Sequence, residues 1–205
     1  MALLNDEQLK QVSDAIEAAE KETDAELVTV LASKADNYFY IPTLWAALLA
    51  LLIPALLRFT HFWLSADDLF MLQWLVFIVL ALVFRIPAVM MHLVPKSIRY
   101  WRASNLARRQ FLENNLHHTK GETGVLIFVS EAEHYVEIIA DRGISAHVSN
   151  EQWQEIVNNF IASIKQGQTQ QGFIDCISAC GTLLHQYAPN TGELNELPNH
   201  LVVLD

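Results

Sequence analysis

Two closely spaced apolar runs, roughly residues 38–58 and 68–94, constrain this chain more than any other feature. Ile41–Leu57 carries no charge over about 17 residues, the lower end of what crosses a hydrocarbon core of ~30 Å. Tyr38, Phe39, Tyr40 and Trp45 gather at its start, where a membrane segment places interfacial aromatics. Pro54 predicts a kink. A break follows over Arg58–Asp68, which holds His61, Asp67 and Asp68, and Leu69–Phe84 is the second run. Arg85 interrupts it, and Ile86–Val94 continues apolar apart from His92. An arginine central in lipid is costly, whereas one near a span's end reaches the headgroups on its long stem. The reading therefore ends the span near Arg85, with a kink at Pro87 and Ile86–Val94 close to the interface. A functional intramembrane charge is the sharper alternative.

The remaining residues read as ordinary globular sequence. Of 205 residues, 52% are hydrophobic and 18% charged, with the apolar excess lying between Tyr38 and Pro95. A net charge of −10 argues against a nucleic-acid partner, which needs a basic surface. Met1–Lys21 is acidic and amphipathic, without the basic start and apolar run of a signal peptide. Lys96, Arg99, Arg102, Arg108 and Arg109 cluster after the second run, while the break offers Arg58 against Asp67 and Asp68. The positive-inside rule then places the region after the second span in the cytoplasm. Two spans return the chain to its starting side, so both flanks are expected to be cytoplasmic and the loop external.

Asn5 and Gln8 have the spacing of a capping box, with Leu9, Val12, Ile16 and Ala19 following at helical period. Leu27–Leu31 is a mostly β-branched run and predicts a buried strand. Asn105–Leu116 predicts a helix, Val125–Val129 a strand covered on both faces, and Tyr135–Ala140 another strand ended by Asp141-Arg142-Gly143. Ser149 and Gln152 form a second capping box, opening a helix with Trp153, Ile156, Val157, Phe160 and Ile164 on its inner face. Gly167 stops it, and a last helix spans about Gln170–Tyr187. Cys176 and Cys180 face one side of that helix, as buried apolar thiols or as a metal or redox pair. Pro189 and Gly192 loosen the chain before Leu201–Leu204, a terminal strand or a docking tail. The predicted class is α/β, helices packed on a small sheet, with a two-helix transmembrane hairpin inserted after the first strand. The segments are 1–37 and 96–188 as two parts of one domain, 38–95 as hairpin and 189–205 as tail. Leu27–Leu31 must then pair across the hairpin with Val125–Val129.

Gly124-Val-Leu-Ile-Phe-Val-Ser130, Val136-Glu-Ile-Ile-Ala-Asp-Arg-Gly-Ile144, Trp153, Ile156, Phe160 and Lys165-Gln-Gly-Gln-Thr-Gln-Gln-Gly172 follow one another in an order that resembles the TPM domain family. Glu22-Thr-Asp-Ala-Glu-Leu-Val-Thr-Val-Leu31 resembles that family's first helix-to-strand junction. The resemblance covers roughly residues 5–36 and 100–188 and implies an α/β sandwich with a phosphatase-like label. It also implies divalent-cation binding through loop acids in some members. A membrane-inserted subgroup resembles proteins encoded beside LemA-type membrane proteins, which implies a bacterial inner-membrane location and a LemA-like partner. The chain departs from the pattern at Asn150 and at Gly167-Gln168-Thr169, where the family often carries acids. A hard cation wants several charged oxygen ligands, so the two amides weaken a metal or phosphatase role.

The chemistry-bearing motifs are otherwise absent: no phosphate-binding glycine loop, no nucleophile elbow, no zinc spacing. Glu26, Glu137 and Asp141 are the candidate catalytic acids, expected at strand ends, where convergent carboxylates would hold a cation such as Ca or Mg or act as acid and base. Each has a plainer reading as a turn cap or solvated acid, and Asp141-Arg142 as a local ion pair. His117-His118 reads as a solvated helix end, and neither His134 nor His147 has ligand spacing. Two functions follow. One is a membrane-anchored interaction or assembly module, with the bilayer, a LemA-like protein or a second copy through Ala46, Ala47 and Ala50 as partners. The other is a weak phosphatase or divalent-cation-dependent hydrolase.

Overall fold

The β-branched run after Glu26 becomes strand β1 (Leu27–Ala32), and the apolar run after Gly124 becomes β2 (Val125–Ser130). They pair in parallel with Leu27 opposite Val125 and Leu31 opposite Val129. This is the register expected across the apolar insert. β3 (Tyr135–Ala140) returns antiparallel on β2. β4 (Leu201–Leu204) adds in parallel to the free side of β1, so the terminal run is a strand. The result is a mixed sheet of order β3-β2-β1-β4.

The computed structural model describes residues 4–59, 64–191 and 201–204. His61 in the predicted break and Gly192 in the predicted tail lie outside the described residues. The helices are α1 (Asp6–Glu20), α2 (Tyr40–Leu57), α3 (Ala66–Val83), α4 (Pro87–Leu93), α5 (Lys96–Glu113), the short α6 (Arg142–Ser145), α7 (Asn150–Lys165) and α8 (Thr169–Tyr187). Two compact units result: Met1–Ala35 with Tyr100–Asp205, and Asp36–Arg99.

In the first unit the pleat sends alternate strand residues to opposite faces. Leu27, Leu31, Val125, Ile127 and Val129 join Val12, Ile16, Trp153, Phe160, Phe173 and Ile177 in a core under α1, α7 and α8. Val28, Val30, Ala32, Leu126 and Phe128 join Ala103, Ala107 and Phe111 of α5 on the other face. Both inner strands are therefore covered twice, which is why they read as unbroken apolar runs. Parallel strands need a crossover connection, usually a helix. Here α5 supplies it, and the apolar insert lies between β1 and that helix. Asn5 caps α1 and Ser149 caps α7, each with a reciprocal capping box at Gln8 and Gln152. The helix expected over Asn105–Leu116 begins instead at Lys96. Its buried face is largely alanine, so the first turns lack an apolar period that sequence reading can detect.

In the second unit α2 and α3 are long and apolar enough to cross a membrane. At ~1.5 Å per residue each spans about 27 Å, close to the hydrocarbon thickness. Only 22% of the α2 window is buried and none of α3, so most of their large apolar side chains are exposed. Ala46 and Ala50 are buried, and α2 packs along α3. Pro54 is accommodated inside α2. Ser65 and Asp68 cap α3 reciprocally. Pro87 does not kink a continuous span: the chain breaks after Phe84, and Pro87 opens α4 at its first turn. Arg85 lies in that break, exposed, its guanidinium 5.6 Å from the centre of the Phe39 ring. Tyr38, Ile41, Met90 and Val94 form a small core of their own.

Candidate functional site

A cleft of about 660 Å³ opens in the first unit where the end of α1, residues 23–26, residues 120–123 and residues 188–191 meet. It sits at the end of the sheet where β1 and β2 begin. Glu17, Glu20, Asp24 and Glu26 line it together with Lys21 and Lys120. Most of these charges carry structural duties. Glu17 pairs with Lys21 one helical turn on, at 2.9 Å. Glu20 accepts a hydrogen bond from the Leu27 backbone N–H at 3.0 Å, extending the β1 ladder past its end. Asp24 accepts from the Thr191 N–H at 3.0 Å and from the Thr191 hydroxyl. The Thr23 hydroxyl donates to the Ala188 carbonyl and accepts from the Ala25 N–H at 3.1 Å. The cleft walls are thus tied across the chain by groups that also supply its polarity.

The three candidate acids part company here. Glu26 lines the cleft and is only 5% exposed. Asp141 stands at the same sheet end, since the Val125 N–H donates to the Glu26 carbonyl and the Asp141 N–H donates to the Gly124 carbonyl, both at 2.8 Å. Its carboxylate is used to cap α6, accepting from the Arg142 N–H at 2.8 Å. The expected Asp141–Arg142 ion pair is not made: the Arg142 guanidinium lies 3.9 Å from Glu122. Glu137 is not at a strand end. It lies inside β3 opposite Phe128 and accepts a hydrogen bond from the Tyr135 hydroxyl at 2.9 Å. Burial first, and the nearby Glu137 carboxylate, push the Tyr135 phenol up to about 12 against the lowering effect of a Ser104 hydrogen bond. Among the described residues no group of three or more His, Cys, Asp or Glu side chains is placed to hold a metal ion. Asp24 is engaged by Thr191 and one Asp141 oxygen by its helix, while the other Asp141 oxygen is buried without a hydrogen-bond partner among the described residues.

At the opposite sheet end, in the turn between β2 and β3, stands another buried acid. Glu133 is 1% exposed, accepts from the Ala35 N–H at 3.1 Å on each carboxylate oxygen, and accepts from the Ser130 hydroxyl. Ala35 is the last residue of the first unit before the insert. The Glu131 and Ala132 N–H groups donate to the Ala32 and Ser33 carbonyls beside it. The β2–β3 turn therefore clamps the strand exit by which the chain leaves the sheet. No spacing motif signals this, because the partners are far apart in sequence.

Among the described residues the thiols and histidines form no metal-holding cluster. Cys176 and Cys180 are free and buried in α8. A hydrogen bond with Cys176, reinforced by burial, raises the Cys180 thiol well above its ordinary range, the opposite of an activated nucleophile. His117 and His118 are exposed on a short 3-10 turn, and His147 stacks on Tyr187 at 5.5 Å.

The TPM domain family's sequence model matches residues 88–183. The match takes in α5, β2, β3, α7 and most of α8, and stops short of β1 on the far side of the insert. The chain is also similar to the BA42 protein from the psychrophilic bacterium Bizionia argentinensis, solved by NMR. The superposition has a TM-score of 0.59 at 22% identity and covers 98% of this chain and 94% of the other, a likeness of fold. Comparison with curated proteins finds no match.

Proposed function

We propose that this chain is a TPM-like α/β module held in a bacterial inner membrane by the α2–α3 hairpin, presenting its sheet domain at the cytoplasmic face for interaction or assembly. One observation carries the reading. Two helices of membrane-spanning length leave most of their large apolar side chains exposed, and they lie inside the β1–α5–β2 crossover. Exposed apolar surface on that scale is costly in water and ordinary in lipid. Placing the anchor inside the crossover ties the domain to the bilayer by two chain connections, not one. The partners proposed are a LemA-like membrane protein or a second copy. After solubilisation in mild detergent at native expression, the chain should migrate as a complex larger than one 23.2 kDa chain with its micelle. A strictly lone monomer contradicts the interaction role.

A hydrolase reading draws on the acidic cleft around Glu26. It requires phosphate-ester hydrolysis that is lost on Glu26→Gln and unaffected by Glu137→Gln, whose side chain is on another part of the sheet. Activity surviving Glu26→Gln sinks it.

A further inference from the structure

The outward face of α5 is unlike the rest of the first unit. Ala103, Ala107, Gln110 and Phe111 bury one side of the helix on the sheet. The other side leaves Trp101 and Leu112 exposed at 59% and 55%. At 100° per residue, Trp101, Arg108 and Leu112 fall on one stripe. The Arg102 guanidinium lies 5.0 Å over the Trp101 ring, and Arg109 pairs with Glu113 at 3.2 Å. In a chain of net charge −10, Arg102, Arg108 and Arg109 lie toward this outward side of the helix, against Glu113. An exposed tryptophan flanked by arginines has the chemistry of the headgroup layer, where an amphipathic ring and snorkelling cations both find partners.

We propose that this face lies on an anionic phospholipid surface. The inference rests on the membrane reading above, since α5 begins directly after the apolar insert, at Lys96. Charge complementarity selects the occupant: each basic residue at an anionic leaflet strengthens binding roughly fivefold. The α5 face then orients the sheet domain on the membrane, with Trp101 at headgroup depth and Arg102 and Arg108 on lipid phosphates.

The test uses the full chain in lipid nanodiscs made of phosphatidylcholine alone or with phosphatidylglycerol. Asn105→Cys carries a fluorophore on the α5 face and Asn158→Cys carries it on exposed α7 as reference, while buried Cys176 and Cys180 stay unlabelled. Nitroxide at the lipid headgroup should quench the α5 probe at least twofold more in anionic than in neutral discs, and leave the α7 probe unquenched. Arg102→Glu with Arg108→Glu should remove the difference. Quenching independent of lipid charge, or equally weak at both positions in discs that retain the protein, overturns the proposal alone. A chain that does not co-elute with discs overturns the hairpin reading and this inference together.

Discussion

At the residue scale, the groups that matter most are those whose neighbours come from far along the chain. Glu133 holds Ala35 from 98 residues away. Glu133→Ala removes the acceptor from a backbone N–H at the strand exit and from the Ser130 hydroxyl. A loss of about 1–3 kcal/mol is expected, read as faster hydrogen exchange at the Ala35 amide; unchanged exchange there would dismiss the clamp. Gly124 and Gly143 are constrained by space. A Cβ on Gly124 would overlap the Leu116 carbonyl, and one on Gly143 the Gly121 carbonyl, both backbone atoms that cannot swing aside. Gly124→Ala should cost about 2–3 kcal/mol, visible as a lowered melting temperature of the sheet domain. Tyr135 gives a pH signature. Its phenol titrates at about 12 when folded against about 10 unfolded, so the folded state holds that proton more tightly. The stability this confers is complete below pH ~10 and is lost as pH rises through about 12. Absorbance titration of the chain against Tyr135→Phe should show one late-ionising tyrosine; ionisation near 10 would contradict the burial argument.

At the element scale, what could be read from the sequence was local or periodic. The capping boxes at Asn5 and Ser149 announced α1 and α7 because both partners sit within one turn. Leu27–Leu31 and Val125–Val129 announced inner strands because two covered faces leave no polar positions. The first turns of α5 were illegible because Ala103 and Ala107 pack as helix but carry no apolar period. Predicted strand ends point to Glu26, Glu137 and Asp141, which holds for Glu26 and Asp141 but not for Glu137, set within β3. The cleft itself was hidden, since Glu20, Asp24, Thr123 and Thr191 meet only once the sheet forms. The sequence of Leu201–Leu204 is open between strand and tail, because four apolar residues do not reveal their partner. Its pairing makes a prediction: removing residues 201–204 deprives the Ser33 N–H of the Leu204 carbonyl. Exchange at Ser33 should then quicken by the equivalent of about 1 kcal/mol, while the β2 and β3 amides keep their protection.

At the scale of the whole molecule, the decisive feature is topological. One sheet domain is interrupted between β1 and its crossover helix by a hairpin of membrane-spanning length, and the interruption leaves the β1–β2 register intact. That follows from the apolar runs and from the need of parallel strands for a crossover. On the membrane reading proposed above, the two flanks share one side of the bilayer, since β1 and β2 hydrogen-bond to each other. Cysteine accessibility in intact cells measures this directly. With a membrane-impermeant maleimide, Ser65→Cys at the cap of α3 should label from outside. Lys34→Cys and Glu151→Cys, one on each side of the insert, should label only after permeabilisation. Labelling of Lys34→Cys and Glu151→Cys from opposite sides, or of all three only after permeabilisation, would contradict a hairpin that spans the membrane from within one domain.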